Sequence, residues 1–147
     1  MKENNLNGKR NGKGKEYDYY NGKLKFEEEY LNFKCKLYIG KVIKYYKDGK
    51  LKFEGEYLNG ERNGKGKEYY KDGELKFEGE YLNGKKWNGK GYNKSGKIEF
   101  EIKEGKGYIK EYDYYNGELV FEGEYLNGER RKGKKYSNGK LVFEGEY

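Results

Sequence analysis

The sequence predicts an all-β protein, an elongated single-layer antiparallel meander of consecutive β-hairpins, and three observations carry that prediction. The block Leu-x-Phe-Glu-Gly-Glu-Tyr-Leu-Asn-Gly occupies residues 51–60, 75–84 and 119–128, restarts over 141–147, and has a looser copy over 24–32. Within each block apolar and charged residues alternate with a period of two, as in a strand with one apolar and one solvated face. Between blocks stand Asn-Gly, Asp-Gly or Ser-Gly dipeptides, and Asn-Gly or Asp-Gly between strands is the strongest local signal for a hairpin.

Taken in order, the anchoring phenylalanines are Phe26, Phe53, Phe77, Phe100, Phe121 and Phe143, spaced 27, 24, 23, 21 and 22 residues apart. That period is too short for helical-pair repeats. The chain divides into a partial repeat over 1–25, repeats over 26–52, 53–76, 77–99, 100–120 and 121–142, and a half repeat over 143–147, all within one array over 1–147. Leu75, Phe77, Gly79 and Tyr81 share one parity, while Lys76, Glu78 and Glu80 share the other. Each such strand follows another, such as Lys67-Glu68-Tyr69-Tyr70, across a turn at Asn21-Gly22, Asp48-Gly49, Asp72-Gly73, Ser95-Gly96, Asn116-Gly117 or Asn138-Gly139. Longer glycine-rich loops, such as Asn59-Gly60-Glu61-Arg62-Asn63-Gly64, are expected at the other strand ends. Eleven or twelve strands at about 4.8 Å spacing give a sheet roughly 50 Å long. With no helix to cover a face, each hairpin is expected to bury its aromatics largely against its neighbours. A glycine between two aromatics, as at Gly55 or Gly79, leaves room for a ring to lie over the backbone.

Composition narrows the class further. Forty per cent of residues are charged, 33% are hydrophobic and mean hydropathy is -1.41, which alone would point to disorder, yet 18% are aromatic, including 19 Tyr. A chain with no Ala and 24 Gly is a poor helix former. The single Cys35 excludes an intramolecular disulfide and a cysteine metal cluster. Residues 1–6 have no apolar segment of the signal-peptide kind, and no apolar run spans a bilayer, so the expectation is a cytoplasmic chain, peripheral at most to a membrane or cytoskeletal structure.

The pattern Phe-Glu-Gly-Glu-Tyr-Leu-Asn-Gly-x-x-x-Gly-Lys-Gly over residues 53–66 resembles the MORN (membrane occupation and recognition nexus) repeat, and the resemblance covers nearly the whole chain. It implies an array of hairpins, often curved or twisted into a groove, that organises protein complexes, forms dimers or contacts phospholipid. Two repeats depart from the pattern. In the repeat at Phe26 the glycine position is Glu28, the loop glycine is Phe33, and an apolar cluster of Phe33, Cys35, Leu37, Tyr38, Ile39, Val42 and Ile43 follows. In the repeat at Phe100 the glycine position is Ile102, and the stretch from Phe to Gly107 is 8 residues against 14 for the regular copy.

The residue inventory argues against catalysis. With no His or Thr, only Ser95 and Ser137, and one Cys, the usual nucleophile and base pairs cannot be assembled. Glu54 and Glu56 share a strand face as glycosidase carboxylates would, but they recur beside lysines as a solvated face does. Gly64-Lys65-Gly66 and Gly89-Lys90-Gly91 lack the Lys-Ser/Thr and helix of a phosphate loop. No catalytic, cofactor or metal residues are assigned.

Charge points to binding instead. Residues 1–52 carry 14 basic and 7 acidic side chains, net +7, whereas 53–147 carry 19 of each. The candidate binding surface comprises Lys9, Arg10, Lys13 and Lys15, then Lys85, Lys86 and Trp87, then Arg130, Arg131, Lys132, Lys134 and Lys135. Basic residues near anionic lipid contribute on the order of 1 kcal/mol each, and Trp87, in a loop beside lysines, resembles an interfacial anchor, although packing of this loop residue on its own hairpin is the favoured reading. At Tyr19-Tyr20, Tyr45-Tyr46, Tyr69-Tyr70 and Tyr114-Tyr115 one ring faces the core and the other outward. Such an outward ladder could stack single-stranded nucleic acid, but four arginines among many glutamates disfavour it. The expected role is a non-catalytic scaffold for an unnamed protein partner. The alternatives are anionic phospholipid and a homodimer through the C-terminal strand, whose edge is expected to be open.

Overall fold

A computed structural model describes the backbone of residues 4–6, 9–17, 24–31 and 39–147, and the side chains of residues 14–17, 27 and 40–147. Among them are thirteen strands and no helix: β1 (Asn4–Leu6), β2 (Lys9–Tyr17), β3 (Leu24–Leu31), β4 (Ile39–Tyr45), β5 (Leu51–Leu58), β6 (Glu61–Tyr69), β7 (Leu75–Leu82), β8 (Lys85–Tyr92), β9 (Ile98–Ile102), β10 (Gly107–Tyr112), β11 (Leu119–Leu126), β12 (Glu129–Ser137) and β13 (Lys140–Glu146). Each strand pairs antiparallel with its sequence neighbour, except at one point. β1 to β9 form a nine-stranded sheet and β10 to β13 a four-stranded sheet. The single continuous layer expected from the repeats is therefore corrected to two sheets.

One row of the register explains both the regularity and the break. Gly55 pairs with Gly66, Gly66 with Gly79 and Gly79 with Gly89, and in the second sheet Gly123 pairs with Gly133 and Gly133 with Gly145. The phenylalanine rings lie on this row. A Cβ on Gly55 would stand 2.7 Å from the Phe53 ring and 2.8 Å from Gly66 Cα, so the missing side chain is what lets the ring settle against the sheet. In the irregular repeats the row carries branched aliphatics instead: Val42, Ile102 and Ile109, all buried. At Ile102 the chain reaches its turn after one further residue, against three after Gly79, and the hairpin closes on the lone bridge between Lys103 and Lys106. β9 and β10 then diverge, and the four-stranded sheet folds across the nine-stranded one. Ile109 and Tyr125 join Phe53, Phe77, Tyr81 and Ile102 in a common core.

The turn assignment reverses the expectation from sequence. Asn59-Gly60, Asn83-Gly84 and Asn127-Gly128 are two-residue connections with positive φ at both positions (51° and 84° at the first), the geometry of a type I′ turn. Arg62, Asn63 and Gly64, expected in a loop, belong to β6. Asp72-Gly73 instead closes a three-residue loop, in which Tyr70 N–H donates to Glu74 O and Gly73 N–H to Tyr70 O. Only Asn138-Gly139, of the six dipeptides expected to make tight turns, connects its strands as a two-residue turn among the described residues. Asn21-Gly22 lies outside them.

Strand parity is also interrupted. The register slips between Glu68 and Tyr69, which face Phe77 and Leu75, so Lys76 is an extra residue, a β-bulge. The same slip recurs at Lys52, Glu99, Val120 and Val142. The bulge turns Lys76 toward the face of Phe77, where only 8% of it remains exposed, rather than to the solvated face.

The row of glycines makes a direct prediction. Gly79→Val places a Cβ about 2.6 Å from Gly89 Cα, and in urea unfolding it is expected to lower stability by about 1–3 kcal/mol. Lys50→Ala, at an exposed position in a turn, is expected to stay within about 0.5 kcal/mol.

Candidate functional site

The most heavily built polar site is a buried carboxylate at the junction of the two sheets. Glu68, on β6, pairs with Phe77 on β7 and Phe53 on β5 and is 1% exposed. A carboxylate in that position needs several donors to remain charged. It has four. Arg62 Nη1 and Tyr81 Oη lie 2.6 Å from Oε1, while Tyr114 Oη is 2.9 Å and Lys86 Nζ 3.3 Å from Oε2. Burial alone would raise its pKa, but Lys86, Arg62, the Tyr81 hydrogen bond and Lys76 outweigh burial and hold it at about 2. Burial and the neighbouring carboxylate push the Tyr81 and Tyr114 hydroxyls upward, so both remain donors.

The basic partners arrive by a fixed offset. Arg62, Lys86 and Arg130 each stand nine residues after a phenylalanine, just past a two-residue turn. That offset returns the cation to the ring it followed. Arg62 Cζ is 4.1 Å from the Phe53 ring centroid, Lys86 Nζ is 4.8 Å from Phe77 and Arg130 Cζ is 4.5 Å from Phe121. The second sheet repeats the arrangement around Glu111, which accepts from Arg130 Nε at 2.9 Å and Nη2 at 2.8 Å and from the Tyr125 hydroxyl. The Glu111 pKa is lowered, since these hydrogen bonds outweigh its burial.

Lys76 closes the junction from the other side. Its Nζ donates to Tyr112 O and lies 3.4 Å from the Tyr114 ring centroid. Burial and the adjacent Lys86 depress its pKa to about 8, against the opposing pull of Glu68, Glu111 and Asp113. Tyr46 and Tyr70 are buried beside it, their hydroxyls donating to Tyr69 O at 2.7 Å and Tyr92 O at 3.0 Å. Their neighbours face the other way: Tyr69 Oη donates to Glu54 Oε1 at 2.7 Å. Tyr115 is the exposed member of its pair, at 62%. The outward tyrosines thus do not form one free stacking ladder among the described residues, and Tyr19-Tyr20 lies outside them.

The basic candidates read from sequence are dispersed. Lys86 and Arg130 point inward to Glu68 and Glu111. Lys85 pairs with Glu129 at 2.7 Å, Lys134 with Glu144 at 3.8 Å and Lys15 with Glu27 at 3.2 Å. Arg131, Lys132 and Lys135 are exposed on β12. Trp87 belongs to β8 rather than a loop and is the bulged residue there, half-buried, its O accepting from Gly105 N–H at 2.8 Å. Lys9, Arg10 and Lys13 lie on β2, and their side chains are outside the described set. The outer face is a row of alternating charge, with Glu54, Lys67, Glu78, Lys90 and Glu101 opposite one another in register. Of the apolar cluster in the repeat at Phe26, only Val42 and Ile43 have described side chains; Val42 is buried.

Among the described residues no three acidic or cysteine side chains converge as a metal would require, and no helix is long and apolar enough to cross a membrane. Every described buried side-chain nitrogen or oxygen has a partner. Compared with family models, curated proteins and solved structures, the chain shows no match.

The pKa of Glu68 fixes a pH dependence. Because it lies at about 2 against an ordinary 4.5, the folded chain binds fewer protons than the unfolded one between those values. Its stabilisation is therefore complete above about pH 4.5 and lost as pH falls toward 2. Glu68→Gln is expected to cost about 3–5 kcal/mol at neutral pH, by leaving the partly buried Arg62 and Lys86 uncompensated, and to flatten the acid limb of urea-measured stability. Lys76 works in a separate window. Its pKa is about 8 in the fold against 10.5, so the unfolded chain binds more protons there and stability gains from this group as pH rises between them. In Lys76→Met that increment should disappear, and an unchanged alkaline profile would contradict the assignment.

Proposed function

We propose that this chain is a non-catalytic protein-interaction module of MORN-type hairpin repeats. The observation that carries the reading is where the unusual ionisable groups are used. Glu68, Glu111, Lys76, Arg62 and Arg130 all have pKa values moved from the ordinary, as catalytic groups often do, yet each is spent on an intramolecular partner, at the sheet junction for Glu68, Arg62 and Lys76 and within the second sheet for Glu111 and Arg130. Their role in this reading is to hold a rigid surface.

What that surface offers is apolar and aromatic. Tyr108 and Tyr115 are exposed on and beside β10, and Leu141, Val142, Phe143 and Tyr147 on and beside β13, where Phe143 is 40% exposed while Phe53, Phe77 and Phe121 are fully covered. Exposed apolar and aromatic side chains at the two edges of the four-stranded sheet favour a protein partner. The phospholipid alternative keeps Arg131, Lys132 and Lys135, but Lys15, Lys67, Lys85, Lys90, Lys110 and Lys134 are paired with glutamates, which favours protein over lipid.

Affinity capture with the intact chain and with Tyr115→Ala/Phe143→Lys tests the proposal. The reading expects a reproducible protein partner whose recovery falls at least several-fold with the double variant. Equal recovery with both chains, or none with either, sinks it. Salt-sensitive sedimentation with phosphatidylserine vesicles, lost on neutralising Arg131, Lys132 and Lys135, would instead establish the lipid reading.

A further inference from the structure

We propose that β10 to β13 form an exchangeable arm, and that a second copy of this chain docks its arm into the Glu68 socket to make a swapped dimer. Two sheets that pack this closely are joined by a single turn, Glu104-Gly105, which hydrogen bonds tie to both sides: Gly105 N–H donates to Trp87 O at 2.8 Å, Glu104 N–H to Asn88 Oδ1 at 2.8 Å, and Gly128 N–H to Gly105 O at 2.9 Å. Their only described ladder contact is the bridge between Lys103 and Lys106, around the turn at Glu104-Gly105. Of the five two-residue turns with positive φ at both positions, four place Asn first; this one places Glu104, at φ 50°. Asn tolerates the left-handed region, and a longer side chain without that local hydrogen bonding does so less readily. The hairpin is also the shortest, since it lacks residues that the regular repeats place between glycine row and turn. A short connection held in a strained conformation is the situation in which the same segment opens and its arm exchanges between copies.

The arm and socket have the properties that exchange requires. The arm has an interior of its own, with Phe121 fully buried and the Arg130, Tyr125 and Glu111 bonds internal to it. Its contacts with the other sheet are specific. Tyr114 donates to Glu68, Lys76 donates to Tyr112 O, Lys71 N–H donates to Tyr114 O at 3.1 Å, and the Tyr115 ring meets Tyr46 at 5.9 Å between centroids. Ile109 and Tyr125 complete the aromatic core beneath. A second copy carries the same arm, so every one of these contacts is reproduced across the dimer, while the Glu104 turn gives up its bridge and its bonds to Trp87, Asn88 and Gly128 and relaxes to an extended linker. The partner copy then contributes Tyr114 to a socket that is incomplete without it. This concerns a second copy of the chain and stands apart from the protein partner proposed above.

The test separates this dimer from any other. Lys94 and the turn at 116–117 face each other across the sheets, the Lys94 side chain standing where a Cβ on Gly117 would fall. Cysteines at Lys94→Cys and Asn116→Cys, with Cys35→Ser, are joined by a short bismaleimide after light scattering and separation of each species. The proposal expects a dimer whose fraction rises with concentration and after refolding, and whose cross-link yields a covalent dimer on denaturing gels. Glu104→Gly, which removes the strain without touching the socket, is expected to lower the dimer fraction several-fold at equal concentration. A monomer at every concentration overturns the proposal. So does a dimer whose cross-links remain within one chain, the pattern expected of pairing through β13, or one indifferent to Glu104→Gly.

Discussion

Removing a carboxylate from water is tolerated only where donors replace the water, and Glu68 receives four of them from three different strands and one loop. Arg62 comes from its own strand, Tyr81 and Lys86 from the next two, and Tyr114 from 46 residues further along the chain. The rest of the junction follows from satisfying this one group. Lys86 acts on both Glu68 and Glu111, lowering the pKa of each, and its charge also lowers that of Lys76. Tyr114, held on Glu68, supplies the ring face against which Lys76 rests. A repeat array whose hairpins would touch only their neighbours thereby acquires a long-range closure.

The glycine row sets where closure can occur. While glycines oppose one another the rings lie flat and each hairpin continues the sheet. Ile102 and Ile109 occupy that row where the sheet divides, and both are buried between the layers rather than beneath a ring of their own strand. The shortened repeat thus acts as a corner in the array.

The repeat period, the all-β class and the space over Gly55 and Gly79 were legible because they depend on residues a few positions apart. The turn types were misread for a local reason: Asn59-Gly60 and Asp72-Gly73 look alike, and register slips flank both kinds of connection, so the dipeptide alone does not say which is tight. Lys76 shows the same cause, since strict alternation places it with Glu78 and Glu80, and one extra residue turns it inward. Arg62, Lys86 and Arg130 carried a readable signal in their common offset of nine from a phenylalanine, but clustering with other basic residues made Lys86 and Arg130 look like exposed patches. That Glu68, rather than its counterpart Glu16, would become the centre was not legible. It depends on where a distant hairpin lands, and the shortened turn at Glu104-Gly105 determines that only through three-dimensional packing.

The central claim is that Glu68 couples the two sheets, and a double-mutant cycle with Glu68→Gln and Tyr114→Phe measures it most directly. The pair is joined only through the closure, so the account predicts an interaction free energy of about 0.5–3 kcal/mol in urea unfolding. Strict additivity of the two substitutions would contradict it.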